Sequence, residues 1–281
     1  MTTSTFNDAP RGSHLDLFSG VGGFALAAEA AGYRTVAFAE PDPYAQQVLG
    51  RHWPDRILFD DVRQIAVDLG DLELCETCGD YFCALCGVHF YQCECLTDDH
   101  VYDRLGPINL ITAGWPCSDF SKMGRGAGLA GARSGLWSEV RRIVGAVRPG
   151  FVLLENTANL LYSNHGREFG VILGDLAALG YGVEWRVLRG HDFGVRQKRE
   201  RLFALAYDPW RIGEESHKRA LMPTGIRSAS FGGGQPLPLR GRIPHGPADR
   251  LDIGQRISLC SNAIIPNVAF RILDNLPTLE P

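Results

Sequence analysis

Residues 14–23 read HLDLFSGVGG, an apolar run that leads directly into a glycine-rich turn. Phe24 to Ala31 follow with alanine and leucine at most positions, and Gly32 comes next, which predicts a helix ending in a left-handed glycine cap. Strand, glycine-rich turn and helix in this order are typical of nucleotide-binding folds, because glycines let a ligand approach the backbone at a helix N-terminus. A tight turn without a ligand is the alternative interpretation.

Short apolar runs and amphipathic stretches alternate through most of the remaining chain. Strands are predicted at 14–18, 35–39, 57–59, 108–112, 151–154, 183–188 and 201–206, with helices at 136–147, 169–179 and 267–273. This order predicts an α/β fold with a doubly wound, Rossmann-like sheet whose site lies at the carboxyl ends of the strands. Glu40, Asp61, Cys117 and Glu155 all fall at such predicted ends.

The charge of the chain is unevenly distributed. The formal net charge is −4, but residues 59–103 hold eleven acids and one base, so this stretch carries −10 and the remainder +6. A basic remainder suits contact with nucleic-acid phosphates, whereas the acidic stretch does not. No run of 18 apolar residues is present, and residues 1–13 lack the pattern of a signal peptide, so neither a membrane span nor export is expected.

Six of the eight cysteines lie in the acidic stretch, as two CxxC pairs and one CxC pair: Cys75, Cys78, Cys83, Cys86, Cys93 and Cys95. Such spacing in a chain without an export signal favours zinc over disulfides. We expect Cys83, Cys86, Cys93 and Cys95 to form one site, with Cys75, Cys78, Cys93 and Cys95 as the alternative set. A structural staple is the expected role, and a surface for a protein partner is the alternative.

Three further segments carry candidate catalytic groups. Cys117 follows a predicted strand, near Lys122 and Arg125, whose positive charge would favour a thiolate. Glu155 ends an apolar strand, where desolvation would raise its pKa and suit it to proton transfer. In residues 197–201, extended backbone would place Gln197, Arg199 and Arg201 on one face, and a surface ion-pair network is the alternative for this segment.

Five motifs together resemble those of the DNA cytosine-5 methyltransferase family. Its cofactor motif is similar to residues 16–23, its Pro-Cys motif to Pro116-Cys117, its Glu-Asn-Val motif to residues 155–157, its Gln-x-Arg-x-Arg motif to residues 197–201, and its Gly-Asn-Ala-Val-x-Pro motif to residues 261–266. They occur in the family's order over residues 14–273, which is nearly the whole chain.

The resemblance implies a covalent mechanism on a cytosine flipped out of double-stranded DNA. The Cys117 thiolate would add to C6, Glu155 would contact N3 and the exocyclic amine, and Arg199 and Arg201 would stand near O2 and the flanking phosphate. C5 would then take the methyl group of S-adenosylmethionine, and loss of the C5 proton would release the enzyme.

The resemblance also implies how S-adenosylmethionine is held. Phe18 would contact the ring, Glu40 the ribose, Asp61 the adenine amine and Asn262 the methionine end. The expected cofactor-binding residues are Asp16, Phe18, Ser19, Gly20, Gly22, Gly23, Glu40, Pro41, Asp61, Val62 and Asn262.

The sequence departs from the family's pattern in four places. Trp115 replaces the first proline before Pro-Cys, Ser118-Asp119 replaces Gln-x, Ser261 replaces glycine, and the motif that usually precedes the C-terminal one has no clear match. The recognition region is short, and between residues 209 and 252 seven bases outnumber four acids, which suits phosphate contact.

The expected domains are an arm at 1–13, a catalytic domain at 14–206 with the zinc insertion at 72–100, a target-recognition region at 207–258, and a segment at 259–281 that returns to the catalytic domain. We expect a cytoplasmic monomer that acts on DNA; the compact chain suits a phage or a restriction-modification system. A transfer RNA cytosine methyltransferase is one alternative, although that branch's Cys-Phe-Thr motif is missing. A catalytically silent homologue that binds DNA or protein is the other, and intact Cys117, Glu155, Arg199 and Arg201 argue against it.

Overall fold

The computed structural model describes residues 10–65, 72–74, 81–83, 105–115, 135–194, 198–213, 220–223 and 264–280. Their strands are β1 (Gly12–Leu17), β2 (Tyr33–Ala39), β3 (Ile57–Phe59), β4 (Leu72–Leu74), β5 (Tyr81–Cys83), β6 (Leu110–Ala113), β7 (Phe151–Thr157), β8 (Gly182–Arg189) and β9 (Glu200–Tyr207). Their α-helices are α1 (Gly23–Ala30), α2 (Pro43–His52), α3 (Leu136–Val147), α4 (Arg167–Ala178) and α5 (Pro266–Asp274).

Seven of these strands form one sheet in the order β3-β2-β1-β6-β7-β9-β8. Strands β3, β2, β1, β6 and β7 pair in parallel, and β9 lies antiparallel between β7 and β8. From β1 the sheet is extended on one side by β2 and β3. The chain then crosses back and adds β6 on the other side of β1, so the direction of strand addition reverses there. In a doubly wound sheet such a reversal opens a crevice at the carboxyl ends of the strands, which confirms the predicted fold class.

Apolar clusters cover both faces of the sheet. On one face α3 and α4 bury residues such as Ile143, Val144 and Ile172 against Leu15 and Leu17 of β1. On the other face α1 and α5 pack residues that include Phe24, Val268 and Ile272 against Phe151 and Leu153 of β7. The sheet is therefore a central layer between helices, and its carboxyl edge is left for the loops that form the site.

Helix α2 was not predicted, although the sequence contains its start signal. Asp42 caps the helix by accepting hydrogen bonds from the backbone of Tyr44 (2.8 Å) and Ala45 (3.1 Å), and Pro43 occupies the first helical position. Both features are favourable at helix N-termini. No helix in the described part of the chain is long and apolar enough to cross a membrane.

Most predicted boundaries differ from the structure by one to three residues, and those of β1 and β7 are examples. Strand β1 begins at Gly12, two residues earlier than predicted. Strand β7 does not end before Glu155 but continues to Thr157, because β9 pairs with it as far as Thr157 whereas β6 pairs only as far as Leu154. Glu155 is thus supported by β9 on one side and is free of a strand partner on the β6 side.

Part of the expected target-recognition region packs into the core. Ile212, Leu221 and Met222 are each 1% exposed and belong to the cluster around α5. The carboxylate of Glu184 accepts hydrogen bonds from the backbone of Leu221 and Met222, and the backbone of Glu280 donates to the carbonyl of Arg211 (2.8 Å). The described residues 208–213 and 220–223 are therefore part of the layer that covers the sheet.

The cysteine-rich insertion is described only as backbone in two short strands. Strands β4 and β5 pair antiparallel, with Leu72 opposite Cys83 and Leu74 opposite Tyr81. Cys75, Cys78, Cys86, Cys93 and Cys95 lie outside the described residues. Where side chains are described, no three His, Cys, Asp or Glu residues are grouped as metal ligands would be.

Candidate active site

The loop after β1 has an unusual backbone. Phe18 has a φ of 55°, and Gly20 and Gly22 follow with φ of 53° and 85°. A bulky residue in the left-handed region is strained, and such strain clusters at functional sites. A Cβ built on Gly22 would lie 2.6 Å from the Trp53 ring, whereas one built on Gly20 would meet no protein atom within 4 Å. The loop is therefore packed against Trp53 at Gly22, and it leaves space for a ligand at Gly20.

Glu40 ties this loop to the end of β2. Its carboxylate accepts hydrogen bonds from the backbone of Gly20 (2.7 Å) and of Asp42 (2.9 Å). Burial raises the pKa of Glu40, and the two N–H donors oppose that rise. Each carboxylate oxygen can accept more than one hydrogen bond, so Glu40 can hold the loop and still accept from ligand hydroxyls.

Asp61 follows β3 and caps the short 3-10 helix Val62–Gln64. Its carboxylate accepts from the backbone of Arg63 (2.9 Å) and pairs with the Arg63 guanidinium (2.6 Å). These hydrogen bonds lower the pKa of Asp61. Val62 beside it is buried and Pro41 is exposed. Any adenine contact by Asp61 would have to share its oxygens with Arg63.

Glu155 lies in β7, near the carboxyl edge of the sheet, and β7 runs between β6 and β9. Arg201 donates from Nε to Oε1 of Glu155 at 2.8 Å, and the two side chains are 18% and 9% exposed. Burial raises the pKa of Glu155 to about 7, against the opposing charges of Arg201 and Arg199. Arg199 and Arg201 therefore both act on this carboxyl, whereas Gln197, predicted to share their face, lies outside the described residues.

The chain just before the expected nucleophile is held in place by side chains of two elements. Asn156 donates from Nδ2 to the carbonyl oxygen of Trp115 at 3.0 Å. The Trp115 ring is 4% exposed and lies 5.5 Å, centroid to centroid, from the ring of Trp137 in α3. Trp137 in turn donates from Nε1 to Asp175 in α4 (2.8 Å). These contacts fix the path of the chain at its last described position before Pro116-Cys117.

Ile264 joins the two halves of the site. A Cβ on Gly23 would lie 3.0 Å from Cβ of Ile264, and one on Gly114 would lie 3.0 Å from its Cδ1 and 3.5 Å from Oε2 of Glu155. The absence of a side chain at Gly114 therefore leaves room for both Glu155 and Ile264 to approach the end of β6. Sequence reasoning missed the packing of Trp115, Asn156 and Ile264, since it depends on which strands are neighbours.

The structure brings together Phe18, Ser19, Gly20 and Glu40 in one cluster, and Glu155, Arg199 and Arg201 in another. Asp16 lies buried behind the first cluster. Cys117, Gln197 and Asn262 lie outside the described residues.

Sheet order and carboxyl-edge site define a Rossmann-like α/β fold of the methyltransferase class. A crystal structure reported as that of a DNA modification methyltransferase encoded within an E. coli prophage shares this fold, with a TM-score of 0.50, 19% identity, and coverage of 74% of this chain and 48% of that one. The family model for C-5 cytosine-specific DNA methylases matches residues 12–84 and 95–224. The chain belongs to that family.

Relatives with curated names support the same assignment. Type II methyltransferase M.NgoBI of Neisseria gonorrhoeae is 31% identical over 193 residues, which cover 69% of this chain and 50% of the relative. Type II methyltransferase M.HaeII of Haemophilus aegyptius is 32% identical over 193 residues, with 69% and 49% coverage. The chain thus spans about half the length of the curated relatives it matches.

Proposed function

We propose that this protein transfers a methyl group from S-adenosylmethionine to C5 of cytosine in double-stranded DNA, with Cys117 as the nucleophile. The observation that carries the proposal is the buried Glu155 carboxyl, held by Arg201 beside the end of β6. A carboxyl with a pKa of about 7 exchanges a proton readily at neutral pH, as contact with a heterocycle nitrogen requires.

The steps assigned to the chain's own residues are as follows. The Cys117 thiolate forms a bond to C6 of a flipped cytosine, and the electron density pushed toward N3 is stabilised by the Glu155 proton. Arg201 and Arg199 keep Glu155 oriented and add positive charge near O2 and the flanking phosphate. Once C5 carries the methyl group, with S-adenosylhomocysteine left as the other product, the C5 hydrogen leaves as a proton to solvent; the electron pair of that C–H bond re-forms the C5–C6 double bond and expels the Cys117 thiolate.

The residues present fit S-adenosylmethionine. Gly20 leaves open space at the N-terminal side of α1, and Glu40 there retains capacity to accept hydrogen bonds from ribose hydroxyls. We assign Phe18 to ring contact, Asp61 and Val62 to the adenine, and Asn262 to the methionine end. When bound, the cofactor supplies an electrophilic methyl group.

We also propose a zinc site in the insertion. Its support is the number and spacing of the cysteines, together with the antiparallel pairing of β4 and β5, which places Cys75 and Cys78 in the six residues between two paired strands. The ligand set is Cys83, Cys86, Cys93 and Cys95, or Cys75 and Cys78 with Cys93 and Cys95. Metal content measured beside thiol titration, with and without chelator, distinguishes the two sets through single Cys→Ser variants.

We also propose that the protein is a cytoplasmic monomer of a restriction-modification system, with the domain boundaries expected from its sequence. A protein partner at the acidic insertion is part of the same proposal.

The function is tested by methyl transfer from labelled cofactor to duplex DNA and to transfer RNA. The wild type should label DNA alone, and Cys117→Ala should label neither substrate. Asp55→Asn, a change at an exposed acid remote from the proposed chemistry, serves as the matched control and should retain activity. Absence of transfer by the wild type to either nucleic acid would overturn the proposal, and transfer to transfer RNA alone would replace its substrate.

A further inference from the structure

A buried row of hydrogen-bonded polar side chains crosses the adjacent strands β2, β1 and β6. Thr35 of β2 contacts Nδ1 of His14 through its hydroxyl (3.0 Å), and Nε2 of His14 contacts the hydroxyl of Thr112 in β6 (2.8 Å). Thr112 contacts Oδ1 of Asp16 at 2.7 Å. All four residues are 0% exposed. Next to Thr35 lies Glu29 of α1, an exposed residue; desolvation raises the pKa of Glu29, and the Thr35 hydroxyl opposes that rise.

Asp16 is the last residue of this hydrogen-bonded row, and no positive charge acts on its carboxyl. Its Oδ2 is buried and has no hydrogen-bond partner, and the charged neighbour that acts on it is Glu40, a group of the same sign. Burial raises the pKa of Asp16 well above its ordinary value, while Thr112 and the backbone N–H of Ala25 oppose the rise. An ionised carboxylate in such surroundings is costly, and neutralisation is the usual response.

The hydrogen bonds that link Asp16, Thr112, His14 and Thr35 can be donated in either direction along this row. Burial lowers the pKa of His14 to about 3, so the imidazole is neutral and carries one N–H. With Asp16 protonated, donation runs from Asp16 through Thr112 and His14 to Thr35 and on to Glu29. With Asp16 ionised, Thr35 donates to Nδ1, Nε2–H donates to Thr112, and Thr112 donates to Asp16. Every link between Thr35 and Asp16 is satisfied in both states, and in the second state the single Thr35 hydroxyl hydrogen no longer points to Glu29.

We propose that Asp16 is protonated in the ligand-free protein and releases this proton along the relay to Glu29 and solvent when a cationic cofactor binds. The proposal rests on the proposed function for its ligand. S-adenosylmethionine carries a sulfonium charge that its product, S-adenosylhomocysteine, lacks. A carboxyl that ionises only when the charged ligand is bound makes the site prefer S-adenosylmethionine over S-adenosylhomocysteine.

The linkage has a definite sign. Binding that releases a proton becomes tighter as pH rises, by up to about tenfold for each pH unit while Asp16 is protonated in the free protein. The affinity for S-adenosylhomocysteine should stay nearly flat over the same range. The titratable groups that face Asp16 are Glu40 at the end of β2 and His14 through Thr112.

Calorimetric titration of the full chain in two buffers of different ionisation enthalpy tests the proposal, because the difference in heat gives the number of protons released. We expect close to one proton for S-adenosylmethionine and close to none for S-adenosylhomocysteine. If both ligands bind with the same number of protons released, the inference is overturned and the proposed function is unaffected. Failure of S-adenosylmethionine to bind would overturn both.

Asp16→Asn distinguishes Asp16 from Glu40 as the source of the proton. The variant should release no proton when it binds S-adenosylmethionine, and its affinity ratio for S-adenosylmethionine over S-adenosylhomocysteine should fall about tenfold. If the variant still releases a proton, Glu40 is its source. Asp55→Asn should behave as the wild type. Nitrogen-15 NMR of His14 provides a readout without any substitution: Nδ1 should carry the hydrogen in the free protein and Nε2 in the S-adenosylmethionine complex. The same tautomer in both states would contradict the relay.

Discussion

Replacing Glu155 by glutamine tests whether the active-site carboxyl is held at a cost in stability. Glutamine keeps the size of the side chain and can still accept a hydrogen bond from Arg201, but it cannot ionise. The carboxyl is buried and lies close to Gly114, just after the end of β6. We therefore expect the variant to gain stability relative to the wild type as pH rises, while it loses activity.

The magnitude follows from the pKa of Glu155, which rises from its ordinary 4.5 to about 7. Between these values the folded wild type binds more protons than the unfolded chain, so its free energy of unfolding falls as pH increases. At about 1.4 kcal/mol for each pH unit, roughly 2 to 3 kcal/mol should be lost between pH 5 and pH 8. Glu155→Gln should not show this loss.

Urea unfolding of both proteins at several pH values measures the effect. The quantity of interest is the difference between the two free energies of unfolding, since the other titrating groups cancel in it. This difference should move in favour of the variant by about 2 kcal/mol or more from pH 5 to pH 8. A difference independent of pH, or one that moves in favour of the wild type, would refute the assignment of a raised pKa.

Three other substitutions test separate parts of the account. Gly22→Ala should cost about 2 kcal/mol or more in unfolding experiments and weaken cofactor binding, since its φ is 85° and its Cβ would clash; Gly50→Ala, in open space on a helix, should stabilise slightly. Asn156→Ala should lower kcat more than it changes cofactor KM, because Trp115 loses its hydrogen bond. Leu221→Ala should cost about 2–5 kcal/mol; a cost below 0.5 kcal/mol would show that residues 220–223 are not core.

The existence and approximate bounds of most strands and helices were predictable because apolar runs and glycines are local signals. Helix α3 matches its predicted bounds, 136–147, and Gly32 adopts the left-handed conformation expected of a cap. Glu40 lies directly after its strand, as predicted. These features depend on residues close together in the chain, and the resemblance to a known family added their roles.

Features that depend on pairing between distant strands were not predictable. The extension of β7 past Glu155 arises from its pairing with β9. The contact of His14 with Thr112 exists because β1 lies beside β6, nearly a hundred residues later in the chain. The burial of Leu221 and Met222 was missed because a stretch without periodicity can still place two apolar side chains against a core.

Covalent attack by Cys117 on cytosine can be observed directly in one experiment. Duplex DNA that contains 5-fluorocytosine is incubated with the protein and S-adenosylmethionine, and complexes that survive denaturation are digested and analysed by mass spectrometry. Fluorine at C5 cannot leave as a proton, so the account predicts a stable adduct on the peptide that contains Cys117, and none with Cys117→Ala. An adduct on another residue, or none with a wild type that methylates ordinary DNA, would contradict it.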